Sequence, residues 1–474
     1  MAQDSVQPAQ PHSVLKIAAT SLAGASIEWY DFFIYATAAA LVFPTQFFPA
    51  DLPPFVAQIA AFSTFAVGFL ARPVGGAVFG HIGDRVGRKR ALVIALMIMG
   101  AASTLIGILP SYRQVGAAAP LALIVLRFLQ GVAIGGQWGG AVLLATESAP
   151  ANRRGFYGSF AQVGVPVGVV LANLIFLGVS AWIAPEAFLV WGWRVPFLLS
   201  VALVGVGIFA QFHLEETPVF KQLEAEKQAR DERALAARAQ ASGLSIEAMR
   251  DQIAREDRRS PIVLVLISHP RQILLTAGAF VAINGNFYIL ITYVISYGVK
   301  TVHLTQSAML TAVLIGSVVM VPCLLAAAAL SDRIGRRGLY MGGAALLGLW
   351  AFAFFPLVQM GAVMATVAVT VGLGFLSLMY GPQAAFFAEI FSAKVRYSGA
   401  SLGYQIGTIF GGAFAPIIAT FLLQAYGSTW PIAVYMAVLC AVSLVCVYLL
   451  TETYRQSDED DPPAIEPAPS PDLA

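Results

Sequence analysis

The sequence predicts an all-α integral membrane protein, with twelve transmembrane helices arranged as two pseudo-symmetric six-helix bundles. Three observations carry that expectation. The 474-residue chain is 58% hydrophobic and only 11% charged, where a soluble globule carries about 25% charged residues. Its apolar residues gather into twelve runs, each long enough for the roughly twenty residues that cross a bilayer. A charged hexapeptide, Asp84-Arg85-Val86-Gly87-Arg88-Lys89, returns half a chain later as Asp332-Arg333-Ile334-Gly335-Arg336-Arg337, so the chain says the same thing twice.

The other recurrences keep nearly the same offset. Glu147 precedes Arg153, Arg154 and Gly155 as Glu389 precedes Lys394, Arg396 and Gly399. Gln162-x-Gly164-xxx-Gly168 matches Gln405-x-Gly407-xxx-Gly411. An even number of spans in each half makes the two halves parallel repeats.

Taken in order, residues 1–16 carry Asp4, Pro8, Pro11 and His12 with no basic leader region, and are expected to form a cytoplasmic tail. Spans follow at about 17–43, 55–80, 91–109, 119–147, 156–181 and 190–213, making an N-terminal bundle over 17–213. Residues 214–270 are rich in Ala, Glu, Lys and Arg without a sustained apolar face, which suits surface helices in a loop joining the halves. Six further spans, at about 271–299, 306–330, 339–357, 361–388, 399–425 and 430–450, make a C-terminal bundle over 271–453. The tail 454–474 is rich in Asp, Glu and Pro and is expected to be disordered. Lys and Arg fall mainly in alternate gaps, which by the positive-inside rule places both termini and the central loop in the cytoplasm.

Several function classes drop out. The net charge is +2, and the basic residues punctuate apolar runs rather than line a groove, so nucleic acid is not a partner. Cys323, Cys440 and Cys446 sit inside apolar runs and read as packing residues. No metal-ligand spacing, nucleophile elbow, phosphate-binding loop or HExxH pattern occurs, so neither an enzyme nor a cofactor is expected. The expected partners are a small-molecule substrate, protons and the lipid bilayer, with the chain acting as a monomer.

An ionisable side chain inside a span costs roughly 2.5–3.5 kcal/mol at the helix centre on insertion scales, so each needs a partner or a purpose. Glu28 and Asp31 share a face of the first span with Gly24 and Tyr35. Two carboxylates in one dry site repel when both are charged, which makes them candidates for proton handling; the alternative is that one merely holds Arg127 or a helix end. In the fourth span Arg127, Gln130, Gln137 and Trp138 form a polar stripe. Arg127 cannot shed its charge, so it is expected to meet a carboxylate, either of the first span or of a bound anion. Gln162 in the fifth span, Asn284 and Tyr288 in the seventh, Tyr380 and Gln383 around Pro382 in the tenth, and Tyr404 in the eleventh suit the walls of a central cavity, although such groups also glue helices together. In the loops, Asp84, Arg85, Arg88 and Glu147, with Asp332, Arg333, Arg336, Glu389 and Arg396, suit a cytoplasmic gate. Its carboxylates would accept from helix-end N–H groups and its arginines would pair with Glu147 or Glu389.

On these residues the chain resembles the major facilitator superfamily, whose loop signature Gly-xxx-Asp-Arg-x-Gly-Arg-Lys runs from Gly80 to Lys89, with Ala328 replacing the first glycine in the second copy. It is similar in particular to the metabolite:proton symporters, which include carriers of shikimate, 2-oxoglutarate, citrate and proline/betaine, and most of all to the shikimate-type branch. The marks are Glu28-Trp29-Tyr30-Asp31-Phe32; Arg72-Pro73 with Gly75-Gly76; Arg127 to Gly140; Arg154 to Ser159; Gly192 to Phe197; Glu216-Thr217-Pro218; and Glu389-Ile390-Phe391 through Arg396 to Gly399. The resemblance implies proton-coupled uptake of a small polar metabolite by alternating access in a bacterial inner membrane. Arg127 favours an organic mono- or dicarboxylate over a zwitterionic osmolyte, with a facilitator or a proton-antiport exporter as further alternatives. Gln137 stands where family members usually carry an acid. Either coupling rests on Glu28 and Asp31 alone, or the site is more positive than in its relatives, or coupling is weakened.

Overall fold

The computed structural model describes residues 11–76, 78–79, 88–135, 146, 149, 151–213, 267–391 and 396–453, with parts of 232–249. Among the described residues every regular element is a helix. The N-terminal half contributes α1 (Pro11–Leu41), α2 (Pro54–Gly76), α3 (Arg88–Ile108), α4 (Ala118–Gly135), α5 (Arg154–Trp182) and α6 (Arg194–His213). The C-terminal half contributes α7 (Pro270–Lys300), α8 (Gln306–Ile334), α9 (Arg336–Gln359), α10 (Ala362–Ile390), α11 (Ser398–Tyr426) and α12 (Trp430–Leu449). Nine of these twelve, all but α1, α3 and α6, meet a length and hydropathy standard for crossing a membrane over their described residues. Large apolar side chains point outward: Leu121 is 63% exposed, Leu349 72% and Val363 73%. Water would penalise so many exposed apolar groups, and lipid accepts them.

Local sequence explains where helices begin and end. Thr305 caps α8, its hydroxyl accepting from the Ala308 N–H at 3.2 Å. Gly335 ends α8 at φ 102°, a left-handed geometry that favours glycine, so the chain turns straight into α9. Two helices expected as continuous spans are interrupted by π-turns, Ile289–Tyr293 in α7 and Ile409–Ala413 in α11. A π-turn adds a residue without breaking the helix and rotates the following face. Both interruptions lie within a residue or so of Tyr288 and Thr408, at the inter-bundle surface of the C-terminal half.

The bundles are built on close backbone approaches. Along the α2–α4 seam a Cβ on Gly75 would lie 2.0 Å from the Val132 carbonyl oxygen, one on Gly131 2.2 Å from that of Gly68, and one on Gly135 2.0 Å from that of Arg72. Only hydrogen fits there, and dispersion between backbones replaces the hydrophobic drive that lipid cannot supply. α1 packs along α5, where Gly164 and Gly168 back onto Ala25 and Trp29.

The halves meet along α5 with α8 and α10, and along α2 with α11. Toward one end of this seam Asp332 of α8 accepts from the Gly155 and Phe156 N–H groups of α5 at 2.9 and 2.8 Å. In the middle, Gln162 of α5 donates to Gln383 of α10 at 2.5 Å. Toward the other end Lys300 of α7 donates to Gln58 of α2, and Gln306 of α8 donates to the Ser180 hydroxyl of α5 at 3.2 Å. The halves are therefore tied at both ends and across the middle.

The α2–α4 seam makes a quantitative prediction. Gly131→Ala lowers stability by about 1–3 kcal/mol, the usual range for overpacking, seen as a lower midpoint of thermal unfolding in detergent by tryptophan fluorescence. Gly374→Ala, where a Cβ meets nothing within 4 Å, shifts stability by less than about 0.5 kcal/mol.

Candidate functional site

α1 sits at the centre of the site and presents two faces. One carries Asp31 and Tyr35, four residues apart, into the N-terminal bundle. Asp31 is 1% exposed, no cation among the described residues pairs with its carboxylate, and the hydroxyls of Ser103 of α3 and Ser200 of α6 are its polar neighbours. The Tyr35 hydroxyl donates to the Thr64 hydroxyl at 2.7 Å. The other face carries Trp29, Phe32 and Phe33 toward Phe287 and Tyr288 of the opposite half. Glu28 is half-buried between them.

Arg127 is fully buried on α4. Its guanidinium carbon lies 4.2 Å from the ring centres of Phe32 and Tyr35 and 4.8 Å from that of Phe65. Such faces attract a cation without neutralising it. One guanidinium nitrogen donates to the Gln130 side-chain oxygen at 3.0 Å, and the Gln130 amide donates to the Ser103 hydroxyl at 2.8 Å. Arg127 therefore reaches the neighbourhood of Asp31 through Gln130 and Ser103. Among the described residues the carboxylate expected directly on Arg127 is not there: its Nε and Nη2 have no partner, and neither Glu28 nor Asp31 pairs with it. The aromatic rings of α1 and α2 fill the space where such a pair would form. Gly68 makes room for the guanidinium, since a Cβ there would lie 2.6 Å from its Nε.

A second buried arginine lies close by. Arg72, at the end of α2, is 1% exposed, and its Nε and Nη2 also have no partner among the described residues. It lies over Phe69, Phe32 and Trp29 at 4.7, 4.9 and 5.5 Å. Tyr288 of α7 and Tyr404 of α11 lie beside its guanidinium. In the sequence Arg72 stood inside the expected second span and served only, with Pro73, as a mark of the family resemblance. Its burial was the missing signal.

Between the halves, Trp29, Asn284, Tyr288, Leu376, Tyr380 and Tyr404 line a cavity of about 20 Å³, room for about one water. Asn284 approaches the Thr408 hydroxyl at 3.4 Å. Phe280 stacks against Tyr404 with centroids 4.4 Å apart. Gln162 and Gln383 do not line this cavity; they meet across the seam through one hydrogen bond, which leaves the Gln162 oxygen and the Gln383 amide nitrogen without a partner among the described residues. Gln137 and Trp138 lie outside the described residues.

The second polar cluster caps one end of the inter-bundle seam. Arg336 donates to Asp332 at 2.7 Å and to Glu389 at 3.2 Å, while Asp332 also holds the first N–H groups of α5. A carboxylate at a helix N-terminus meets both unpaired donors and the positive end of the helix dipole. Arg396 donates to the Phe391 carbonyl at 3.3 Å and lines the same pocket as Arg154 and Glu389. Arg333 is exposed. Asp84, Arg85 and Glu147 lie outside the described residues, and only the backbone of Arg88, in α3, is described. Two members came from outside the sequence motifs. The Thr453 hydroxyl donates to Glu389 at 2.6 Å, and Glu452 accepts from the Arg336 and Arg337 N–H groups at 3.0 Å each.

Two apolar helical halves that close over a buried polar site at their interface define a membrane transport protein. The family described as "Sugar (and other) transporter" matches residues 16–460, and the chain belongs to it, within the major facilitator superfamily. The chain is 39% identical to the inner membrane metabolite transport protein YhjE of Escherichia coli (93% of this chain, 95% of the relative). It is 36% identical to the shikimate transporter of the same organism (92% and 94%), and 30% identical to its proline/betaine transporter (94% and 85%). The solved D-xylose–proton symporter superposes with a TM-score of 0.70 at 17% identity, over 93% of this chain and 98% of that one, which shows a shared fold. The relatives are transporters and not enzymes, and this chain is a multi-pass membrane transporter.

The Asp332 cluster yields a prediction. Asp332→Ala removes the cap of α5 and an anion from Arg336, and should shift the population toward opening at that end by at least about tenfold, or about 1.4 kcal/mol. A cysteine placed at Ala385, in the pocket behind the cluster, reports this as faster maleimide labelling once the native cysteines are replaced.

Proposed function

We propose that this protein is a proton-coupled symporter that takes up a small organic acid, a mono- or dicarboxylate, by alternating access across a bacterial inner membrane. Both termini and the Asp332 cluster then face the cytoplasm, and the chain works as a monomer. The observation that carries this reading is the Arg127–Gln130–Ser103 chain ending beside the buried Asp31, with which no cation among the described residues pairs. A carboxyl group with no cation beside it is stable in a dry site when it holds a proton. An uncompensated guanidinium is stable there when an anion enters. Proton and anion thus lower each other's cost of entry, which is what symport requires. The half-buried Glu28, one turn away on α1, is the second proton-handling candidate.

Asn284, Tyr288, Tyr380 and Tyr404 of the C-terminal half line the inter-bundle cavity and suit the walls of a metabolite site, while Tyr35, Arg127 and Gln130 lie behind the aromatic face of α1 in the N-terminal half. A cavity of about 20 Å³ holds no such metabolite, so loading requires one end of the seam to part. The relatives' names span a shikimate transporter and proline/betaine transporters, and the buried positive charge favours the acid.

The test is uptake into proteoliposomes of labelled shikimate, 2-oxoglutarate, citrate, proline and betaine, with and without an inward proton gradient. Gradient-driven accumulation of an acid is expected in the wild type. Asp31→Asn should abolish accumulation while leaving exchange of labelled for unlabelled acid within a few-fold, because the neutral amide mimics the protonated carboxyl. Gradient-independent uptake, or accumulation of proline or betaine alone, would overturn the reading. In the same assay Gln137→Glu, which restores the acid usual in the family, tests whether coupling depends on that position.

A further inference from the structure

We infer that Arg72, rather than Arg127, anchors the substrate's carboxylate, and that Arg127 is the positioning partner of the proton-handling Asp31. This rests on the carboxylate reading above for the acid itself, but the anchoring role holds equally for the carboxylate of a zwitterion.

The two arginines share a burial and differ in their company. Every contact made by the Arg127 guanidinium, with Phe32, Tyr35, Phe65 and Gln130, comes from the N-terminal half. The ring faces and the Gly68 backbone enclose it, and its one hydrogen bond leads inward toward Ser103 and Asp31. A substrate carried between two rocking halves has to touch both; among the described residues no hydrogen bond joins Arg127 to the C-terminal half, and Tyr288 lies only within its electrostatic reach.

Arg72 stands at that junction. Its guanidinium lies over Trp29, which lines the inter-bundle cavity, and beside Tyr288 and Tyr404, which line the same cavity from the other half. Two of its nitrogens are buried without a partner, and among the described residues no carboxylate pairs with it. A buried guanidinium left in this way calls for an anion with two oxygens, which its planar fork binds in parallel. Tyr288 and Tyr404 can donate to the same oxygens. Their hydroxyls bring the C-terminal half onto the anion, so binding at Arg72 would draw the halves together.

The test compares an acid with its uncharged amide, using shikimate with shikimamide and succinate with succinamide, by exchange in proteoliposomes without a proton gradient. Wild type should prefer the acid. Arg72→Gln should raise the half-saturating acid concentration at least about tenfold, the loss typical of a charge-assisted hydrogen bond, and abolish the preference over the amide. Arg127→Gln should keep the preference in exchange and lose gradient-driven accumulation. An unchanged acid half-saturation in Arg72→Gln, or loss of acid preference in Arg127→Gln alone, overturns the assignment. If every acid fails in the wild type while betaine is carried, the carboxylic-acid reading falls, and the same Arg72→Gln comparison is made on betaine.

A second measurement needs no variant. Phenylglyoxal, an arginine reagent, is applied to the wild-type protein with and without the carried acid, and the Arg72 peptide is quantified by mass spectrometry. Protection by the acid and not by its amide is expected. Equal modification with and without the acid, or no modification of Arg72 at all, overturns the assignment, since a guanidinium open to a carboxylate is open to the reagent.

Discussion

A guanidinium does not give up its charge, and the described residues bury two of them, Arg72 and Arg127, without a carboxylate among them to answer either. Everything near the centre of the molecule accommodates that constraint. Aromatic faces of α1 and α2 surround both cations, softening the loss of water without neutralising the charge. Bare glycines at 68, 75, 131 and 135 let α2 and α4 close until their backbones touch, leaving space for Arg127 beside Gly68. The uncompensated charge concentrates at one depth in the bundle, next to a carboxyl group with no cation of its own. Such a centre is stable only when ions come and go together, which is the physical content of coupled transport.

Around that centre the two halves are held by ties of different strength. At the Asp332 end a charged network joins α5, α8, α9 and α10, and the segment after α12 adds Glu452 and Thr453 to it. At the other end the ties are an amide with an ammonium and an amide with a hydroxyl. Charge-assisted bonds are roughly twice as strong as neutral ones; the Lys300–Gln58 bond is one of them, whereas Arg336 and Asp332 make several at once. Between the ends lie a single glutamine pair and a cavity the size of a water. Among the described residues the halves are thus tied on both sides of the site. π-turns in α7 and α11 sit where helices of the C-terminal half meet α1 and α2, the positions at which a change of helical face would alter the seam.

Much of this was legible in the chain. The spans follow from apolar run length, and the duplicated loop gave the two halves before any contact was known. Polar residues inside the spans marked the site, since lipid tolerates them only with a purpose: Asp31, Arg127, Gln130, Asn284, Tyr288, Tyr380 and Tyr404 all lie in the buried centre. Their pairings were not legible. A helical wheel says which residues share a face and is silent about what the face meets, so Arg127 was expected on a carboxylate and is found on rings and an amide. Gln162 and Gln383 looked like cavity walls and hold each other. Arg72 was only a mark of the family resemblance and is buried beside the cavity-lining Trp29.

The sequence alone determined the class of molecule, because the cost of placing polar groups in hydrocarbon acts on every residue separately and leaves its mark in composition, run length and repeats. The tertiary structure decided who meets whom. Lys300 and Gln58 are 242 positions apart, and Thr453 and Glu389 are 64. Contacts of that kind depend on the depth, tilt and rotation of packed helices, which arise from all the close approaches together and belong to no single stretch of chain.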